Sequence, residues 1–286
     1  MVIVDIQHVT YRYPTSKEDI LCDVSLQLDA GKVYALVGEN GGGKSTICSL
    51  IRGFVPQIFK GELTGKAIVF GKDVAEVDLG ENAQKIGYVA QNPFTQITGA
   101  TESVFEEVAY GLENLGTPRE EIITRVTEVL QLFDIEPLSS MNPTQLSGGQ
   151  KQRVALASVY AMNPDLFIID EPTSQLDPVG TKDVFDIVER LKTAGKTVLL
   201  VENKVELVAR YADKIFLVRQ GKIVDEGDPR TLFTKASTAE SGAFIPQYTL
   251  LAKALNDNGY VVNQYPVLQE EAVALIKQLR EKEATR

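Results

Sequence analysis

A glycine-rich stretch at residues 38–45 constrains the fold of this chain more than any other feature. It follows an apolar run of strand length, residues 32–37, and the apolar side chains of Ile47, Leu50 and Ile51 behind it recur at helical spacing. We therefore expect a buried strand, a loop and a helix N-terminus, where free N–H groups and the helix dipole favour phosphate. The stretch consists of Gly38, Glu39, Asn40, Gly41, Gly42, Gly43, Lys44 and Ser45, and Thr46 follows it.

The residue types in this loop suit a nucleotide. The glycines let the loop fold with its amides pointing inward, Lys44 would bring a positive charge to the β- and γ-phosphates, and the Ser45 hydroxyl is the expected Mg²⁺ ligand. A glycine-rich turn with a lysine can also be only a turn. The strand before it and the helix after it favour the phosphate site.

Two acidic residues end a second apolar run. Residues 166–169 are all apolar, as expected for a buried parallel strand, and Asp170 and Glu171 follow directly. Ligands of open α/β sheets bind at the carboxyl ends of the strands. Adjacent strand residues point to opposite sides, so the two carboxylates are expected to have different tasks.

A five-residue element at positions 146–150 narrows the class. A chance match to all five residues at a given place is on the order of one in a million. The pattern that continues to Val159 is helical, so the element is expected at a helix start. With the phosphate loop upstream, it resembles the signature of the ABC ATPases, and the chain is identified as a member of that family. The element consists of Leu146, Ser147, Gly148, Gly149 and Gln150.

The resemblance implies an α/β fold, namely a P-loop NTPase core of ABC type with an antiparallel β subdomain, a helical signature subdomain and a small C-terminal extension. ATP and Mg²⁺ are the implied cofactors. Asp170 would belong to the Mg²⁺ shell, Glu171 would be the base that orients the attacking water, and Gln91 would reach Mg²⁺ and link the site to the helical subdomain.

Other matches imply a dimer. By resemblance to the family, Ser147 and the signature glycines would contact the γ-phosphate bound on a partner subunit. The loop at residues 174–177 would cross the interface, and Asp177 is the residue of this loop that we would test. Tyr13 resembles the aromatic residue that stacks on adenine, although a single tyrosine on an N-terminal strand is often part of a core.

The chain departs from the family pattern at Asn203. The family normally has a histidine here that touches the γ-phosphate, and the only histidine of this sequence is His8. An amide can donate a hydrogen bond but cannot exchange a proton. We hypothesise slow hydrolysis at this chain's own site, which favours a heterodimer with a histidine-containing partner. Alternatives are that Glu171 suffices and Asn203 is a tolerated variant, or that the chain is an ATP-binding regulatory subunit.

The expected organisation is an ATPase domain at residues 1–232, with a helical subdomain at about 94–158, and a C-terminal extension at residues 233–286. Residues 91–96, 104–116 and 266–272 resemble the ATPases of energy-coupling-factor (ECF) importers of cobalt, nickel and vitamins, and the last segment resembles their dimerisation segment. Its amphipathic helix is equally typical of packing against its own domain.

Composition restricts the remaining classes. The formal charge of −10 argues against nucleic-acid binding. The spacing of Cys22 and Cys48 fits neither a disulfide scaffold nor a metal site, and no apolar stretch approaches the ~18 residues of a membrane span. A signal peptide is not expected at the N-terminus.

We therefore expect an ATP-hydrolysing subunit of an importer at the cytoplasmic face of the membrane, acting with a second ABC ATPase chain and with integral membrane coupling and substrate-binding proteins. A soluble ABC ATPase without a transport role would need a long coiled coil or a tandem second ATPase, and the sequence contains neither.

Overall fold

The computed structural model describes residues 1–174, 176–235 and 245–284. The strands of this part of the chain are β1 (Val2–Arg12), β2 (Leu21–Asp29), β3 (Val33–Gly38), β4 (Glu62–Val69), β5 (Lys72–Asp73), β6 (Ile86–Val89), β7 (Leu166–Asp170), β8 (Thr197–Val201), β9 (Lys214–Arg219) and β10 (Lys222–Gly227).

The helices of the same ranges are α1 (Lys44–Ile51), α2 (Phe54–Gln57), α3 (Leu79–Lys85), α4 (Val104–Asn114), α5 (Arg119–Leu132), α6 (Gly148–Ala161), α7 (Pro178–Thr193), α8 (Val205–Tyr211), α9 (Pro229–Thr234), α10 (Gln247–Asp257) and α11 (Gln269–Ala284). Three 3₁₀ turns add Pro93–Thr95, Glu136–Leu138 and Pro143–Gln145.

The strands form two sheets. A six-stranded sheet has the order β10-β9-β3-β8-β7-β6, in which only the β9–β10 pair is antiparallel. A four-stranded antiparallel sheet has the order β2-β1-β4-β5. Because β3, β8 and β7 are parallel neighbours, their carboxyl ends meet at one edge. The phosphate loop and the acidic pair therefore lie on the same edge of the sheet.

Side-chain alternation divides the apolar interior into two clusters, one on each face of the six-stranded sheet. In β7, Phe167 and Ile169 belong to the cluster that contains α4 to α8. Leu166 and Ile168 belong to the other cluster, between the two sheets and around α1. Asp170 is two residues beyond Ile168 and so shares the α1 face.

The segment expected to be helical contains α4, α5 and α6. Two of these helices begin with a capping box, Ser103 with Glu106 and Ser147 with Gln150. In such a box each residue satisfies an otherwise unpaired N–H group of the other, which fixes the helix start. Helix α6 continues to Ala161, three residues beyond the expected end of the segment near residue 158.

The C-terminal extension is attached to the ATPase core. The boundary expected after residue 232 falls inside α9, where Leu232 and Phe233 are both fully buried in the core. Further along, Val267 belongs to the same core cluster and Leu268 packs against it. The buried Thr249 hydroxyl donates to the Pro266 carbonyl at 2.6 Å. Much of the segment 266–272, which resembles a dimerisation segment, thus packs against its own chain.

Ion pairs hold the start of α11 on the core. Glu270 pairs with Arg210 of α8 at 2.7 Å, and Glu271 pairs with Arg230 of α9. Among the helices in the described ranges, none combines the length and the apolar character needed to cross a bilayer.

Candidate nucleotide site

The phosphate loop connects the end of β3 to the start of α1. A Cβ atom at Gly38 would lie 1.9 Å from the carbonyl oxygen of Val218, and one at Gly43 would lie 3.0 Å from that of Ile20. Gly43 also has a φ of 103°, in the region that side chains disfavour. Glycine is therefore required here by the neighbouring backbone as well as by the loop conformation.

Lys44 folds back over this loop. Its Nζ donates hydrogen bonds to the carbonyl oxygens of Gly38 at 2.6 Å and Glu39 at 3.1 Å. Burial lowers the pKa of Lys44, and the charges of Glu171 and Asp170 oppose this shift. The ammonium group is thus held at the mouth of the loop between carbonyls and carboxylates.

A cleft of about 330 Å³ opens above the loop, within the size range of small-molecule sites. Four separate parts of the chain line it: Ile20, the loop itself, Gln91 and Glu171. The loop contributes Asn40, Gly41, Gly43, Lys44, Ser45 and Thr46. The structure thus brings together most of the residues that were expected around the phosphates.

Asp170 directly precedes Glu171 and is nearly inaccessible to solvent. Its Oδ2 accepts a hydrogen bond from the Tyr88 hydroxyl at 3.1 Å. Burial raises the pKa of Asp170, while hydrogen bonds from Tyr88 and Ser45 lower it. A hydroxyl and a carboxylate side by side are hard oxygen donors of the kind that Mg²⁺ prefers. Ser45 and Asp170 therefore fit a Mg²⁺ site completed by nucleotide phosphates.

Glu171 is held by two amide side chains. Gln91 Nε2 donates to its Oε2 at 2.8 Å, and Asn203 Nδ2 donates to its Oε1 at 3.2 Å. The backbone of Glu171 has a φ of 43°, which turns the chain away from the strand. Burial raises the pKa of Glu171, and the charge of Lys44 is the strongest of the effects that lower it.

Asn203 faces the phosphate loop as well as Glu171. Its Nδ2 lies 3.3 Å from Asn40 Oδ1, while its own Oδ1 is buried without a hydrogen-bond partner among the described residues. The amide nitrogen of Asn203 therefore has two acceptors, Asn40 Oδ1 and Glu171 Oε1, whereas the amide oxygen has no donor among the described residues. Asn203 lies at the carboxyl edge of the sheet, where the sequence placed it.

Glu202 fixes the backbone that carries Asn203. It is 3% exposed, and its Oε1 accepts from the N–H groups of Asn203 at 2.9 Å and Lys204 at 3.0 Å. Its Oε2 accepts from the Thr173 hydroxyl at 2.8 Å. Glu202 was not predicted as a site residue, although a carboxylate directly after an apolar strand is the same signal that identifies Asp170. Tyr88 was not predicted either, because it belongs to no motif.

Tyr13 follows β1 and stands beside the start of α1. Its hydroxyl lies 3.3 Å from Thr46 Oγ1, and its ring meets those of Tyr11 and Phe59 edge to face, with centroids 4.9 and 6.2 Å away. Tyr13 is half-buried, whereas Tyr11 is fully buried. Tyr11 is thus the core residue, and Tyr13 keeps an exposed part next to the phosphate loop.

The signature residues are not among those that line the cleft. Ser147 and Gln150 cap α6, and a Cβ atom at Gly149 would lie 3.9 Å from Cδ2 of Leu176. Asp177 caps α7, with its Oδ1 accepting from the Gly180 amide at 2.7 Å. Within the described residues the signature therefore adjoins the 174–177 loop, of which residue 175 lies outside the description.

Comparison with known proteins gives a consistent result. Residues 21–174 match the model of the ABC transporter family. The chain is 37% identical over 283 residues to a putative ABC transporter ATP-binding protein of Pyrococcus abyssi, which covers 98% of this chain and 100% of the relative. It is 36% identical over 282 residues to the energy-coupling factor transporter ATP-binding protein EcfA1 of Ligilactobacillus salivarius, covering 98% and 97%.

Solved structures agree with the sequence relatives. CbiO1 from Clostridium perfringens, described as part of the ABC transporter complex CbiONQ, superposes with a TM-score of 0.74 at 28% identity, covering 89% of this chain and 94% of that one. A dimeric ATP-binding cassette in a post-hydrolysis state with ADP and Pi gives a TM-score of 0.68 at 27% identity, covering 79% and 99%.

Proposed function

The chain belongs to the ABC transporter family and is an ATP-hydrolysing subunit of a transporter, and we propose that this transporter is an importer of ECF type for a vitamin or a transition-metal ion. The similarity to an ECF ATPase over 98% of the chain carries the proposal, because it includes the C-terminal extension as well as the ATPase core. The likeness to CbiO1 supports it.

The proposed division of labour follows the geometry of the cleft. The loop amides and Lys44 bind the phosphates, and Ser45 and Asp170 hold Mg²⁺. Bound Mg²⁺ would neutralise charge on the β- and γ-phosphates. Glu171 orients the attacking water, and Gln91 contacts the metal. Tyr13 stacks on the base beside Thr46. Catalysis of this kind is mostly electrostatic positioning of a loose transition state.

Two amide side chains orient the carboxylate of Glu171, the proposed base. Both of its carboxylate oxygens accept hydrogen bonds from amides, Oε2 from Gln91 and Oε1 from Asn203. A base must offer one oxygen to water within hydrogen-bond reach. Each carboxylate oxygen has two lone pairs, so Oε1 and Oε2 can each accept a hydrogen bond from water beside the amide.

The proposed partner is a second ABC ATPase chain. The signature lies at a helix start, where the first N–H groups have no partner within the helix, and it is not part of the chain's own cleft. It could therefore bind a nucleotide held by another subunit. Asn203 favours a partner with a histidine at the equivalent place. The proposed location is the cytoplasmic face of the membrane, where integral coupling and substrate-binding proteins would bind the dimer.

The first test is to express the tagged chain in its native host, extract membranes in mild detergent and identify the bound proteins by mass. We expect a small multi-pass protein together with a second, histidine-containing ATPase. Recovery of the chain alone from the soluble fraction would contradict the importer proposal.

A regulatory subunit that binds ATP and hydrolyses it slowly is the second candidate, because Asn203 contacts Glu171 yet cannot accept or release a proton. Turnover per site should be compared between the dimer of this chain and the heteromeric complex. Negligible turnover of the former, together with binding of ATP, would favour this candidate.

A further inference from the structure

Tyr88 adjoins the metal site without belonging to any motif used so far. It lies in β6, and the parallel register pairs it with Ile168 of β7. Asp170 is two residues beyond Ile168, so the two side chains share one face of the sheet. The Tyr88 hydroxyl donates to Oδ2 of Asp170 at 3.1 Å. Rotation of this carboxylate would break that hydrogen bond.

The ring of Tyr88 is itself fixed by Arg52. The guanidinium carbon of Arg52 lies 3.8 Å from the ring centroid of Tyr88 and 4.0 Å from that of Phe54. The planar cation is thus stacked on both aromatic rings, a favourable arrangement that holds them in place. Arg52 directly follows α1, the helix that begins with Lys44 and Ser45.

Asp170 is therefore supported by both ends of α1. Ser45 lies beside it in the first turn, and Arg52 acts from the other end through the tyrosine ring. We propose that Tyr88 is a positioning residue that fixes the Asp170 carboxylate in the direction needed for Mg²⁺, and that Arg52 acts by fixing Tyr88. This inference rests on the proposed place of Asp170 in the Mg²⁺ shell.

Outer-shell partners of metal ligands typically change metal affinity by about 10- to 100-fold when they are removed. Tyr88→Phe removes only the hydroxyl and leaves the ring on Arg52. Binding of a fluorescent ATP analogue to the purified full-length chain is measured against Mg²⁺ concentration and in EDTA. We expect the half-saturating Mg²⁺ concentration to rise about 10-fold, with affinity in EDTA unchanged.

Two outcomes would overturn the role of Tyr88. One is an unchanged Mg²⁺ requirement, and the other is an equal loss of nucleotide affinity with and without Mg²⁺, which indicates packing alone. Tyr34→Phe is the matched control, since its hydroxyl accepts from the Asp29 amide at 2.7 Å at the opposite end of β3. Tyr34→Phe should lower the melting temperature and leave the half-saturating Mg²⁺ concentration unchanged.

Asp170→Asn separates this inference from the proposed function. If Asp170→Asn leaves the Mg²⁺ requirement unchanged, the assignment of Asp170 itself fails. If Asp170→Asn raises it and Tyr88→Phe does not, only the positioning role of Tyr88 fails.

The role of Arg52 is tested with Arg52→Met and Arg52→Lys, each alone and combined with Tyr88→Phe. Because residues that act through one another are not additive, we expect each double variant to match Tyr88→Phe alone. Multiplication of the two single effects in both double variants would show that Arg52 acts independently of Tyr88.

Discussion

Asn203 donates a hydrogen bond through Nδ2 to Oε1 of Glu171 at 3.2 Å, so the residue predicted to stand at the position of the family's histidine contacts the proposed base directly. The same nitrogen lies 3.3 Å from Asn40 of the phosphate loop. Asn203 thus lies between the proposed base and the phosphate loop and contacts both.

Substitution of Glu171 by Gln should strongly lower turnover and retain nucleotide binding. The amide keeps the shape of the carboxylate but cannot accept a proton from water. Loss of a general base typically lowers turnover by about 10²- to 10⁴-fold. Turnover is measured as phosphate release, and the fraction of dimer is measured by size-exclusion chromatography in the presence of ATP. We expect dimers to accumulate, and turnover at the unmodified rate would refute the assignment of the base.

Substitution of Asn203 by His should raise turnover at this chain's own site in the assembled complex. A histidine can donate to the γ-phosphate and can become cationic near neutral pH, which an amide cannot. Phosphate release should be measured with the partner's site inactivated, so that only this site contributes. Asn203→Gln is the control because it retains an amide. Equal turnover of the His variant and the unmodified chain would contradict the slow-site hypothesis.

Docking of α11 should depend on the charge of Glu271. Burial alone would raise the pKa of Glu271, but hydrogen bonds from the Val267 backbone, from Arg230 and from the Leu268 backbone outweigh it, so its pKa lies below the ordinary 4.5. A lowered carboxylate pKa contributes stability that is present above the unfolded value and is lost as pH falls through the folded value.

Hydrogen exchange of the residues 267–272 tests this dependence. We expect Glu271→Gln to lower their protection at pH 7, with the difference from the unmodified chain shrinking as pH falls below 4.5, the ordinary pKa of this carboxyl. Glu270→Gln is the matched control, since Glu270 pairs with Arg210 on the surface. An equal effect of both substitutions would mean that surface charge, rather than the Glu271 hydrogen bonds, holds the segment.

Substitution of Gly38 by Ala should destabilise the fold. The added Cβ would meet the Val218 carbonyl oxygen at 1.9 Å, so β3 and β9 must shift apart. Overpacking of this kind costs about 1–3 kcal/mol, and more in rigid places. Thermal unfolding measures the loss. Gly227→Ala is the control because nothing lies within 4 Å of the position of its Cβ atom, and we expect its unfolding temperature to stay within about 1 °C.

The sequence predicts the elements that motifs and strand patterns specify. The parallel strands at residues 33–38 and 166–170 and the helix that follows the phosphate loop lie where local patterns indicate them, because apolar runs and glycines act over a few residues. The family fold is confirmed by the comparisons. The expected roles of individual site residues stay predictions.

The contacts that hold the site in place could not be predicted from local sequence patterns. Tyr88 and Asp170 are separated by 82 positions, and Asn203 and Asn40 by 163. Such pairs depend on strand order and register, which one sequence does not reveal. The packing of Val267 into the ATPase core was open for the same reason, since an amphipathic helix has an apolar face whether its partner is its own domain or another chain.

The buried side chain of Glu202 connects the segments that follow β7 and β8. It holds the amides of Asn203 and Lys204 with one oxygen and the hydroxyl of Thr173 with the other, and Lys204 Nζ returns to the Thr173 carbonyl at 3.2 Å. If the backbone at Asn203 moved without Thr173, a carboxylate removed from water would lose its donors, at a cost of about 1–3 kcal/mol or more. Asn203 beside the cleft is therefore tied to Thr173, three residues before Leu176, which lies next to Gly149 of the signature. A displacement of either segment is thus resisted by the other.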